Sequence, residues 1–183
     1  RERPIKWGAT QIGGVDHVAG AMLAKIADTG LSVVPFGGGG EIVTNLMGGN
    51  IDAAGLNLTE GLDQINRGDF RALAVMASER MAAIAEVPTT VELGYDVQYS
   101  TVRGYVVLKG TPDDRIRVLE RALLEGLSHP TYQSYLEGAG LDGRSVTGAT
   151  EWSAQIHQMY EQARHAMREL GIVEKAGEND GEN

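Results

Sequence analysis

The chain has 183 residues, 42% of them hydrophobic and 22% charged, enough for one domain or one and a half that buries about 70% of its extended surface. Its net charge of −9 is spread evenly, with 7 basic and 12 acidic side chains through residue 102 and 9 and 13 after it; no basic patch exists, and nucleic acid is excluded as a partner. The absence of cysteine excludes disulfides, thiolate metal sites and cysteine nucleophiles.

Ile5-Lys6-Trp7-Gly8-Ala9 reads as a strand, and residues 15–27 as a helix with Val18, Met22, Leu23 and Ile26 on one face. A second strand, Leu31 to Phe36, runs into the four glycines Gly37 to Gly40 and a helix over 41–47 that stops at Gly48-Gly49. Residues 51–57 read as a third strand. Thr59 is expected to cap the helix that carries Leu62 and Ile65, and Arg71 to Ala77 reads as a fourth strand. Short strands alternating with helices predict parallel pairing with helices on both faces. Past residue 80 the pattern changes: a short helix at 89–93, a β run from Val97 to Leu108, and a helix opened by Thr111 as N-cap and Pro112 at its first position. A short helix over 130–137 precedes Gly138, Gly140 and Gly143. The last helix spaces Trp152, Ile156, Met159, Ala163, Met167 and Leu170 by three or four and closes at Gly171, and residues 176–183 are expected to be disordered. No run reaches the roughly 18 apolar residues of a membrane span. No basic-plus-apolar leader opens the chain, so any export signal is expected to have been removed.

Two stretches, Ile5 to Ala24 and Val33 to Met47, repeat one device: an apolar strand, a glycine turn, and a helix at once. Glycines there let bare N–H groups approach a ligand, and the helix start adds about half a positive charge, so such turns favour anions. In the first turn the side chains of Thr10 and Gln11 and the N–H groups of Gly13 to Val15 are candidates for holding a carboxylate, with His17 donating to it or bracing the loop. The alternative is a plain connection in which Asp16 supports the helix start and His17 bonds to backbone. Two such turns on neighbouring parallel strands converge on one crevice, which favours the binding reading. Arg103, within a mostly apolar run, is either an edge residue reaching solvent or a fork aimed at a carboxylate. Glu41 and Glu60 sit at helix starts, where the dipole accounts for them.

The nucleotide pattern G-x-G-x-x-G fails from Gly37, where the sixth position is Ile42, and from Gly38, where it is Val43; no P-loop lysine follows. Neither G-x-S-x-G nor H-E-x-x-H occurs. His129 sits beside Pro130 at a helix end; His157 and His165, in the polar final helix, are expected to face solvent. Asp16 and His17 diverge by roughly 100° on a helix and form a dyad in sequence alone.

Gly13-Gly14-Val15-Asp16-His17, Val34-Pro35-Phe36 with Gly37 to Glu41, Leu46-Met47-Gly48-Gly49-Asn50-Ile51-Asp52, Arg71 to Val75 with Glu79-Arg80, Val87-Pro88-Thr89, Arg103-Gly104 and Gly110 to Pro112 occur in one order. In these segments, from about Lys6 to Leu170, the chain resembles the extracytoplasmic receptors of tripartite tricarboxylate transporters, the TctC and Bug proteins. Ala9 and Gln11 depart from the small serine and glycine residues frequent in the first turn, and Phe36 replaces a common tyrosine, so ligand identity stays open.

The resemblance implies a type II periplasmic-binding-protein-like α/β fold, a parallel sheet with helices on both faces, closing over a citrate-like di- or tricarboxylate and presenting it to membrane permease subunits. It also implies a periplasmic or extracytoplasmic location. Members usually begin with another lobe of their own, so the first lobe is expected to be incomplete here. Residues 5–102 are then the second lobe, and 103–175 the returning strand and C-terminal helices of the first. Exposed apolar faces on those helices lead to an expected dimer or domain exchange. The candidate ligand-binding residues are Thr10, Gln11, Gly13, Gly14, Asp16, His17, Gly38, Gly39, Gly40, Asn57 and Arg103. No catalytic residue, metal ligand or cofactor is assigned. Charge-assisted hydrogen bonds of about 1.5 to 3 kcal/mol each give micromolar affinity to a two-lobed cleft, and weak or no binding is expected from half of one. A small α/β enzyme acting on a carboxylate or phosphate with His17 as acid or base is the alternative; a third is an interaction module whose glycine turns are architectural.

Overall fold

The computed structural model describes residues 3–138, 141 and 145–173. Three strands, β1 (Ile5–Ala9), β2 (Leu31–Pro35) and β3 (Ala53–Ala54), form a parallel sheet in the order β2-β1-β3. β1 pairs with β2 from Ile5 opposite Leu31 to Ala9 opposite Pro35, and with β3 at Trp7 opposite Ala53 and Gly8 opposite Ala54. Three helices alternate with these strands: α1 (Val15–Ile26), α2 (Gly39–Met47) and α3 (Leu58–Arg67). A 3-10 turn at Ala82–Ile84 and helices α4 (Asp113–Leu127), α5 (Pro130–Gly138) and α6 (Ala149–Glu169) follow.

Successive residues of a strand face opposite sides, and β1 shows what covers each. The Trp7 ring lies flat on Gly20 of α1, where a Cβ would come within 2.5 Å of it; a Cβ on Gly8 would meet Ile51 at 2.6 Å and Ile42 of α2 at 3.2 Å. Helices therefore cover both faces, as expected, with α1 on one and α2 and α3 on the other. Ile42, Val18, Ala9 and Ile51 are buried in the two layers. α6 packs on α1: Lys25 pairs with Glu169 at 2.9 Å, and Met167 and Ile172 approach Gly13.

Several expected elements change. Arg71 to Ala77 forms no strand; its sheet bonding is a single bridge of Val75 to Thr89, and Leu73 is exposed. The third strand is two residues long. Residues 89–93 form a turn, in which Thr89 N–H donates to Glu92 Oε2 at 2.7 Å and Glu92 N–H to Thr89 Oγ1 at 3.1 Å, and Gly94 at φ +89 ends it before a helix propagates. The run from Val97 to Leu108 forms no strand, although Tyr99 N–H donates to Met76 O at 2.9 Å. Its apolar content fits a strand, yet a strand needs a neighbour for its backbone, and Tyr105, Val106 and Leu108 are 72%, 83% and 86% exposed. Asn57, not Thr59, caps α3, and Pro112, not Thr111, caps α4. The glycines at 140 and 143 and the tail at 176–183 lie outside the described residues.

Candidate ligand-binding site

All three strands run the same way, so the connections that leave their C-terminal ends lie at one edge: turn 1 (residues 10–14), turn 2 (36–38) and turn 3 (55–57). Direct contacts join them. Phe36 N–H donates to Ala9 O at 2.8 Å. A Cβ on Gly55 would sit 3.1 Å from Asp16 Cβ, and one on Gly39 would sit 2.7 Å from the Glu60 carboxyl carbon. The strand order reverses between β1 and β3, and in open α/β sheets ligands usually sit beyond the strand ends at such a point.

Each turn is held by an acid of the helix that follows it. Asp16 Oδ2 accepts from Thr10 N–H at 2.6 Å, and Oδ1 from His17 N–H at 3.0 Å. Glu41 Oε2 accepts from Gly37 N–H at 2.8 Å, and Glu60 Oε2 from Asn57 N–H at 2.9 Å. Glu41 and Glu60 thus do more than face a helix dipole: they reach back three or four residues and fix the strand end. The sequence signal was an acid in the first turn of each helix, without the direction it reaches.

His17 is buried on α1, and its Nδ1 accepts from Gly13 N–H at 2.8 Å. The ring braces the loop, and its other nitrogen, Nε2, carries the proton of the neutral imidazole. Asp16 meets the His17 amide and not the ring, so no catalytic dyad forms. Gly13, at φ +81 in the left-handed region, is glycine for conformational reasons. Trp7 Nε1–H donates to Asp16 O at 3.0 Å and ties the start of α1 to the sheet.

The amides separate into two groups. Those of Thr10, Gly13, Gly14, Gly37 and Asn57 are bonded within the chain, the Gly14 amide to Gln11 O at 3.2 Å. The Gly13 and Gly14 amides, expected to point at a ligand, are therefore spent on the loop. Among the described residues the amides of Val15, Asp16, Gly38, Gly39 and Gly40 have no protein acceptor, and they belong to the starts of α1 and α2. Gln11 is exposed and Thr10 half-buried. The Asn57 side chain donates to Glu60 Oε2 at 3.1 Å. Arg103 is exposed, and no hydrogen bond or ion pair among the described residues joins it to the turns. His157 and His165 are exposed as expected, and His129 is exposed too. No group of three metal-ligating side chains occurs among the described residues, and no helix there is long and apolar enough to cross a membrane.

A parallel α/β layer with helix starts gathered at one edge is that of a type II periplasmic-binding-protein-like domain. Residues 3–174 match the model of the tripartite tricarboxylate transporter family receptor, TctC, and the chain belongs to that family. It is 29% identical over 129 residues to the protein BugT of Bordetella pertussis, covering 69% of this chain and 39% of BugT. A TctC solute binding protein from Polaromonas superposes with a TM-score of 0.73 at 23% identity, covering 91% of this chain and 57% of that one. MatC from Rhodopseudomonas palustris, solved with bound malate, superposes at 0.70 with 20% identity, over 88% and 56%. The chain thus spans about two-fifths of the length of BugT and somewhat over half of these solved chains.

Proposed function

We propose that this chain is the ligand-binding part of an extracytoplasmic receptor that captures a small di- or tricarboxylate and delivers it to a membrane permease. The observation that carries the reading is the set of open amides at the starts of α1 and α2, at the C-terminal edge of the sheet. Each faces outward from a helix dipole that favours negative charge. Binding of malate by the neighbour MatC agrees with an acid ligand. Thr10, Gln11, Asp16, His17 and Asn57 shape the turns around those amides, Gly38, Gly39 and Gly40 leave them bare, and Arg103 supplies a cation from the extended segment.

In this reading residues 5–102 belong to one lobe, and 103–175 supply the returning strand and helices of the other in the complete receptor. The exposure of Tyr105, Val106 and Leu108, and the absence of any buried residue in α4, support a partner surface there. With one lobe's contacts the chain binds carboxylate in the millimolar range, about 4 kcal/mol. Titration with citrate, followed by amide shifts in an NMR spectrum, tests this: saturable millimolar binding is expected. Low-micromolar affinity contradicts the one-lobe site, and unchanged spectra at saturating citrate contradict a millimolar site on this lobe alone. No turnover of the ligand accompanies binding.

A further inference from the structure

Glu60 differs from the other two acids that hold the strand ends. Asp16 spends both oxygens, on the amides of Thr10 and His17, and Glu41 is exposed at the outer side of turn 2. Both bonds that Glu60 accepts, from the Asn57 backbone amide and the Asn57 side chain, end on Oε2. Its other oxygen, Oε1, lies 2.7 Å from the place a Cβ on Gly39 would take, and among the described residues no donor reaches it. The side chain is half-buried. An oxygen with no protein donor among the described residues is therefore held between the starts of α2 and α3, next to the open amide of Gly39.

We propose that Glu60 is a specificity-determining residue: through Oε1 it selects acids that carry a hydroxyl or ammonium donor over plain diacids of the same length. The inference rests on the carboxylate-receptor reading above. Gly39, whose amide is open, lies against Oε1, so a ligand carboxylate taken up by that amide brings its neighbouring substituent to Glu60. A donor there completes Glu60. A second carboxylate there meets a like charge in a half-dry crevice, which raises the cost of keeping both ionised. Sites with a committed hydrogen-bonding group reject analogues that cannot pair with it more sharply than apolar pockets reject a size change.

Malate and succinate differ by one hydroxyl, so they serve as the probe pair, each titrated by NMR into the chain and into Glu60→Gln. In the variant the Gln carbonyl takes over the Asn57 amide and its NH2 turns to Gly39, so an acceptor becomes a donor. The native chain is expected to prefer malate by about tenfold, the worth of one charge-assisted hydrogen bond, and Glu60→Gln to lose or reverse that preference. Equal affinity of the native chain for the two acids overturns the role of Glu60 and leaves the receptor reading standing, as does an unchanged ratio in the variant. If neither acid binds the native chain, the carboxylate site at these helix starts falls, and the role of Glu60 with it. Should the variant not fold, equal affinity of the native chain for the two acids still overturns the proposal, and Glu60→Asp, which shortens the reach to Gly39, takes its place with the same expected loss of preference.

Discussion

Replacing Asp16 by Ala removes the acceptor of two amides at once, those of Thr10 at 2.6 Å and His17 at 3.0 Å. A hydrogen bond to a charged group contributes about 1.5–3 kcal/mol, and an acid at a helix start about 0.3–1 kcal/mol. The carboxylate is half-buried, so the lower part of each range applies, and Asp16→Ala is expected to cost about 2–4 kcal/mol. For a chain of this length that corresponds to a fall of about 5–15 °C in Tm. Asp16→Asn keeps one oxygen and serves one amide, so about half the loss is expected. Urea unfolding with equal m-values checks both numbers. If Asp16→Ala unfolds within about 0.5 kcal/mol of the native chain, a value ordinary for surface substitutions, water already serves the Thr10 amide and the acid does not hold the turn.

Other consequences follow from single contacts. Gly20→Ala drives a methyl into the Trp7 ring; the overpacking cost of about 1–3 kcal/mol exceeds the helix gain of about 1 kcal/mol, so thermal melts should show a less stable protein. His17→Phe keeps the bulk but orphans the Gly13 amide, at about 1–3 kcal/mol, and hydrogen exchange at Gly13 should quicken. Hydrogen bonds from Arg3, Arg80 and Lys25 hold the carboxyls of Asp52, Glu92 and Glu169 below their usual range. Their stabilisation is present above the unfolded values of about 4 and lost as pH falls; Tm should drop on acidification, and less steeply in Asp52→Asn. Val106→Lys with Leu108→Lys charges the exposed run, and light scattering should show less association than in the native chain.

The sheet, its first two helices and the glycine turns were legible because each is a local pattern. Apolar alternation in β1 and β2, the three-and-four spacing of α1 and the glycines after residue 36 are written within a few residues of one another. The strand at 71–77 and the pairing of 97–108 were misread for the opposite reason. Val, Leu and Tyr give those segments β propensity, but pairing depends on a distant partner that composition does not reveal. In the site, the helix starts were visible and the use of their amides was not. Asp16 reaching Thr10 and His17 reaching Gly13 depend on side-chain directions set by the fold, so amides read as open to a ligand proved to be committed inside the loop. The open ones are those of Val15, already named from the sequence, and Asp16 on α1, and on α2 those of Gly38, Gly39 and Gly40, the glycines the sequence had named.

The most direct measurement is the map of backbone amide shifts as malate is titrated into the chain. Saturable shifts centred on Val15, Asp16, Gly39 and Gly40 are the predicted result, with Gly13 and Gly37 held by their internal acceptors and moving less. Shifts centred elsewhere, such as the groove of Glu125, His129, Tyr132 and Tyr135 between α4 and α5, would contradict a carboxylate site at the helix starts.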